Sequence, residues 1–182
     1  MISANSILRS LPKGLDRKQA LFFDGLRHAA EITGFAYLRL QSNCTTIATE
    51  KHRQEDRADL YTAIFLDAWA IVDSIDRFRS LWQLLPIPGQ QQTSAVAWSF
   101  ASLTQPIRDL RNVADHLAQR ADYVVAKQGT ALGVISWVTC PDPTIKKAIS
   151  CAIVPGTLQS SSIQLPMPIK EPLINTAHFL LG

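Results

Sequence analysis

The chain has 182 residues, enough to bury most of its unfolded surface around a core without disulfide or metal staples. Hydrophobic residues make up 47% and charged residues only 18%, which excludes disorder, collagen and acidic tails and suggests surface hidden by a second subunit. Eighteen Lys and Arg against fifteen Asp and Glu leave a net charge of +3, compatible with nucleic acid but too small to identify a binder.

Residues 1–15 read as a lead with neither a continuous apolar run nor an A-x-A cleavage pattern. Cys44, Cys140 and Cys151 are odd in number and form no C-x-x-C pair. They read as reduced small hydrophobes in a cytoplasmic protein, with a Cys140–Cys151 bridge across a hairpin as the alternative. The uncharged stretches 80–107 and 148–169 are interrupted by prolines and polar runs, so neither is expected to span a bilayer.

Asp16 is the expected N-cap of the first helix, with Gln19 completing a capping box. Its inward seam runs through Phe23, Leu26, Ala30, Thr33, Tyr37, Leu40, Cys44 and Ile47 and passes Gly34 unbroken. The mixed-charge run 50–59 reads as a solvated connection or a first turn. A second helix over about 58–85 turns Tyr61, Phe65, Ala68, Val72, Ile75, Phe78, Trp82 and Leu85 inward, and Pro86 ends it. Asp73 with Arg77 and Asp76 with Arg79 are expected as surface ion pairs. Asp67, Asp73 and Asp76 as metal ligands form a weaker alternative, because arginines stand beside them and no histidine is at ligand spacing.

A third helix carries Val96, Phe100, Leu103, Ile107, Leu110, Ala114, Leu117, Ala121 and Val124 in strict four-three alternation. Pro106 either kinks it or begins a new helix after Thr104, and Lys127 with Gly129 stops it. After Gly129 the hydrophobic period changes to two, giving strands over 131–140, 145–154 and 158–165, with a tail that fits helix or strand. The fold class expected is α+β. An antiparallel helical bundle over 16–129 precedes a β-rich appendage over 130–182, a small antiparallel sheet or hairpin.

The chain contains no phosphate-binding G-x-x-x-x-G-K loop, no dinucleotide fingerprint, no hydrolase elbow and no H-E-x-x-H. The run Arg111-Asn112-Val113-Ala114-Asp115-His116 is the one constellation with chemistry in it. On a helix, Asn112 and His116 lie about 40° apart, facing away from the apolar seam, while Arg111 borders it. The bland alternative pairs Arg111 with Asp115 and leaves His116 exposed.

In this arrangement the chain resembles the HEPN superfamily. Those helical bundles carry an Arg followed four to six residues later by His, commonly with a polar residue directly after the Arg. The resemblance covers about residues 16–129. It implies a metal-independent RNA endonuclease, toxin or defence related, acting as a homodimer with both motifs in one cleft and needing no cofactor. In that role Arg111 holds the scissile phosphate, Asn112 orients the 2′-hydroxyl or His116, and His116 moves a proton near neutral pH. The implied partners are RNA, a second copy and a cognate antitoxin or other partner protein, with no membrane. Ala118 stands where one toxin branch has a tyrosine, so that branch's tyrosine modification does not transfer. Other members have lost catalysis, and the alternative function is a noncatalytic interaction or ligand-binding module of the same fold.

Overall fold

Asp16 and Gln19 open the first helix as a reciprocal cap. The Gln19 amide donates to Asp16 Oδ1 at 2.8 Å, and the Asp16 amide donates to Gln19 Oε1 at 3.2 Å. Such caps are each worth about 1 kcal/mol, because they satisfy amides that the first turn leaves orphaned. A computed structural model describes residues 2–49, 54–86, 95–127, 129–140, 147–154, 157–164 and 178–180. The helices are α1 (Arg17–Thr49), α2 (Gln54–Gln83), α3 (Ala95–Leu103), α4 (Gln105–Asp115) and α5 (Ala121–Ala126). A small antiparallel sheet follows them, so the class is α+β, as the change of period indicates.

The chain packs as two compact units, each drawn from two stretches of sequence. The first comprises Met1–Leu38 and Ala68–Val113. In it, Gln19 Nε2 donates to the Pro86 carbonyl at 3.1 Å, and Gly25 lies against Leu81. These pairings run in opposite chain order, so α1 and the end of α2 are antiparallel here. A Cβ on Gly25 would stand 2.7 Å from Leu81 Cδ1, so the glycine is what admits the leucine. Leu26, Ala29, Ala36 and Val72 are buried in this unit, and Phe78 stacks on Trp82 and meets Phe100 edge-on.

The second unit comprises Arg39–Asp67 and Ala114–Gly182. Its core is Leu40, Cys44, Ile47, Ile64, Phe65, Val124, Ile135, Trp137, Ala148, Cys151 and Ile153. Strands β1 (Val134–Thr139), β2 (Lys147–Val154), β3 (Thr157–Gln164) and β4 (His178–Leu180) form one antiparallel sheet in the order β3-β2-β1-β4. Ile135, Trp137 and Thr139 bury alternate positions of β1 and stand opposite Ile153, Cys151 and Ile149. Gly133, at φ 77°, ends a tight turn in which Thr130 Oγ1 donates to the Gly133 carbonyl at 2.8 Å, so β1 starts at Val134 rather than at residue 131. The tail that fitted helix or strand supplies β4.

Three expectations are corrected. The inward seam of α1 runs through Ala29 and Ala36, and Tyr37 is exposed, because the helix rotates the seam as it advances. Helix α2 begins at Gln54 and stops at Gln83, so Leu85 lies beyond it. The third helix is three helices: the break at Thr104 is the new start that Pro106 allows for, whereas the turn at 116–119 that separates α4 from α5 interrupts a run expected to be continuous. Thr104 Oγ1 donates back to the Phe100 carbonyl at 2.7 Å, and Pro106 sits in the first turn of α4, where its missing amide costs nothing. Each break resets the helical phase, which leaves Leu103 exposed despite its place in the seam. Of the two readings of the cysteines the reduced one holds: Cys151 stands opposite Trp137, not Cys140, and none of the three is in a disulfide.

Candidate functional site

In the first unit, the end of α2 faces α4 with charged groups at matched spacing. Asp73 and Asp76 are three apart on α2, and Arg108 and Arg111 are three apart on α4. That spacing places each pair on one helix face. Arg111 uses both edges of its guanidinium: Nε donates to Asp73 Oδ1 at 2.9 Å, and Nη1 donates to Asp76 Oδ2 at 2.9 Å. Arg108 reaches the other oxygen of Asp76 at 3.4 Å, and Arg77 holds Asp73 from within α2 at 3.0 Å.

Asp76 is only 3% exposed, which corrects its expected place in a surface pair with Arg79. Opposite charge and hydrogen bonds must offset the desolvation of a carboxylate that far from water, and two arginines of α4 supply them. The Asp73–Arg77 pair is present as expected. Partial burial pushes the Asp73 carboxyl up, but the hydrogen bonds and charges of Arg77 and Arg111 outweigh it and hold the group below its ordinary range. Arg79 is also buried; it donates to Gln105 Oε1 at 2.8 Å, and its Nε has no hydrogen-bond partner among the described residues.

Asn112 follows Arg111 on α4 and is exposed. His116 is not inside the helix, because α4 ends at Asp115; it belongs to the second unit, in the turn that follows. Its carbonyl accepts from the amides of Gln119 and Arg120 at 3.0 and 2.9 Å, which closes that turn. The exposed His116 ring places Nδ1 2.8 Å from Gln119 Oε1. With that oxygen accepting, the neutral ring carries its proton on Nδ1 and keeps its lone pair on Nε2.

The motif residues therefore sit in different settings, Arg111 between two carboxylates and Asn112 and His116 at exposed positions. Arg108, outside the motif, gains its meaning from Asp76 across α2 and α4, and Asp73 gains Arg111 there beside its own Arg77. The equal i, i+3 spacing of the acidic and basic pairs is the signal that could have joined them. The alternative of Asp67, Asp73 and Asp76 as metal ligands gains no support, since each carboxylate is taken by arginine. Among the described residues no group of three or more His, Cys, Asp or Glu is arranged to hold a metal. Among the same residues no helix is long and apolar enough to cross a membrane. No family model, curated protein or solved structure matches the chain.

Proposed function

We propose that the protein is a noncatalytic interaction module on a HEPN-like helical scaffold, acting in the cytoplasm through protein partners. The observation that carries this reading is the double engagement of Arg111 by Asp73 and Asp76. In a ribonuclease that arginine must hold the scissile phosphate, whereas here two of its donors tie α4 to α2. Freeing it would leave the buried Asp76 carboxylate to Arg108 alone, a loss of about 1–3 kcal/mol once the partial exposure of the arginine is allowed for. Cytoplasmic placement rests on an odd number of cysteines with no C-x-x-C pair, read as reduced thiols. The module is expected to leave single-stranded RNA intact. Arg111→Ala is expected to lower its thermal stability.

A second reading, the metal-independent RNA endonuclease of toxin or defence type, draws support from His116. That ring is exposed, and Gln119 orients Nδ1 so that Nε2 is the proton acceptor. Asn112, also exposed, would orient the 2′-hydroxyl, and a second copy would supply the second histidine. One assay separates the readings: purified protein incubated with single-stranded RNA and a metal chelator. Products ending in 2′,3′-cyclic phosphate, lost on His116→Ala, would overturn the module and establish the enzyme, whose restraint by a cognate antitoxin would then be the next question.

A further inference from the structure

On α2 of the first unit, Arg79 is only 8% exposed, yet among the described residues no carboxylate stands within ion-pair distance of it. Its hydrogen bond there runs from Nη2 to Gln105 Oε1 at 2.8 Å, and its buried Nε has no acceptor. Nε and Nη2 share one edge of the guanidinium, a fork of two parallel N–H groups that suits two oxygens of one anion. Arg39 lays that same edge on both oxygens of Asp67. On Arg79 the edge is half filled, by the single oxygen of a neutral amide. A buried cation without a counter-charge and a buried donor without an acceptor both cost stability. The group is shaped and charged for an acceptor that the chain itself does not supply.

We infer that the Nε–Nη2 edge of Arg79, with Arg108 beside it, binds a phosphate-type oxyanion, free or as the end group of a phosphomonoester, and that Gln105 is the neutral stand-in it displaces. Gln105 is exposed, so the anion arrives from solvent where that side chain now lies. Gln105 Nε2 donates to Asp109 Oδ1 at 2.8 Å, which gives the displaced amide a place to stay. Arg108 reaches Asp76 at 3.4 Å and Ser80 Oγ at 3.5 Å, the residues that flank Arg79 on α2. Those bonds are long and the Arg108 side chain is 40% exposed, so it is able to turn to a stronger acceptor. Across α2 and α4, Arg77, Arg79, Arg108 and Arg111 stand against Asp73 and Asp76, a surplus of two positive charges of which exposed Asp109 offsets one at most. A chloride has one centre and cannot fill the fork. A phosphomonoester fills it and brings a charge of about −1.5 to −2 at neutral pH, which matches the surplus.

This site uses none of the residues 111–116 and goes beyond both functional readings. Equilibrium dialysis of the full chain against radiolabelled inorganic phosphate, at fixed chloride, is expected to show saturable binding. Arg79→Met is expected to weaken it about tenfold or more, the loss of a charged two-pronged contact. Arg79→Lys is expected to weaken it as well, because an ammonium keeps the charge without the fork. Should Arg79→Met lose helical circular dichroism, Arg79→Lys is read in its place. Gln105→Ala is expected to tighten binding several-fold by removing the competing oxygen, an effect that a merely structural Gln105 would not give. A parallel arm with glycerol phosphate names the source: tighter binding than inorganic phosphate assigns the phosphomonoester, and weaker binding the free anion. Absence of saturable binding would overturn the inference, as would weaker binding by Gln105→Ala. Binding indifferent to both Arg79 substitutions would mean an adventitious ion only and would overturn it too. None of these outcomes touches the interaction-module reading, which RNA cleavage alone removes.

Discussion

Arg39 lays its guanidinium along the carboxylate of Asp67, with Nε donating to Oδ2 at 3.2 Å and Nη2 to Oδ1 at 2.5 Å. The carboxylate side chain is 2% exposed and the arginine 48%, so a cation standing half in water neutralises an anion that has almost none. The pairing is two-pronged, a geometry that lysine cannot reproduce.

From this it follows that Arg39→Ala destabilises the protein more than the double change Arg39→Met with Asp67→Leu. The single variant leaves a buried carboxylate without its counter-charge, while the double variant removes the need for one. Thermal unfolding followed by circular dichroism checks the order. Equal losses in the two variants would show that the pair is not what Asp67 depends on.

Arg111→Ala should lower unfolding free energy by about 1–3 kcal/mol, below the range for fully buried pairs because the arginine is partly exposed. Arg111→Lys should recover only part of that loss, since one ammonium cannot span Asp73 and Asp76 as a planar fork does. Urea denaturation measures both. A neutral Arg111→Ala would mean that Arg108 alone suffices for Asp76.

Stability should fall in acid partly through Asp73. Its carboxyl ionises more readily in the folded chain than at its ordinary value of 3.8. The contribution is therefore complete above that value and is lost as pH falls through the lower folded pKa. Asp73→Asn should flatten the stability profile below about pH 4 and leave its shape near pH 7 unchanged. Unfolding midpoints measured across that range give the comparison.

Cys44 should be inert in the folded protein. Burial, and then the neighbouring Cys151, pushes its thiol up to about 12, and burial likewise raises Cys151. The reactive species is the thiolate, so neither should titrate with an aromatic disulfide reagent near pH 8. The half-buried Cys140 should react first, and denaturant should release all three. Rapid native reaction at two or more sites would contradict the packing of Cys44 and Cys151.

How far the sequence reveals this molecule depends on whether a residue's partner is near it along the chain. The Asp16–Gln19 cap, the unbroken α1, the alternation of Ile135, Trp137 and Thr139 and the Asp73–Arg77 pair are all legible, because their determinants lie within a turn or a strand. Asp76 reads as a surface residue from sequence alone, because its partners Arg108 and Arg111 are more than thirty residues away. Apolar spacing also ran smoothly through residues 96–124 while the backbone broke twice. Pro106 signalled the first break. The second, at Asp115, has no proline or glycine to mark it, and it takes His116 out of the helix that the apolar spacing implies. Of the candidate site, the residue types were readable and the counter-charges of Arg111 were not.

The order β3-β2-β1-β4 has a consequence for biosynthesis. Strands β1, β2 and β3 can pair as soon as each emerges, since each neighbours the one before it in sequence. The other edge of β1 receives its partner only when residues 178–180 have been made, about forty positions later. Until then a nascent chain presents Val134, Ile135 and Ser136 with open backbone donors and acceptors, the kind of edge that recruits strands from other chains. A ribosome stalled or a chain cut before residue 178 should therefore yield a product whose helices have formed but which aggregates through β1.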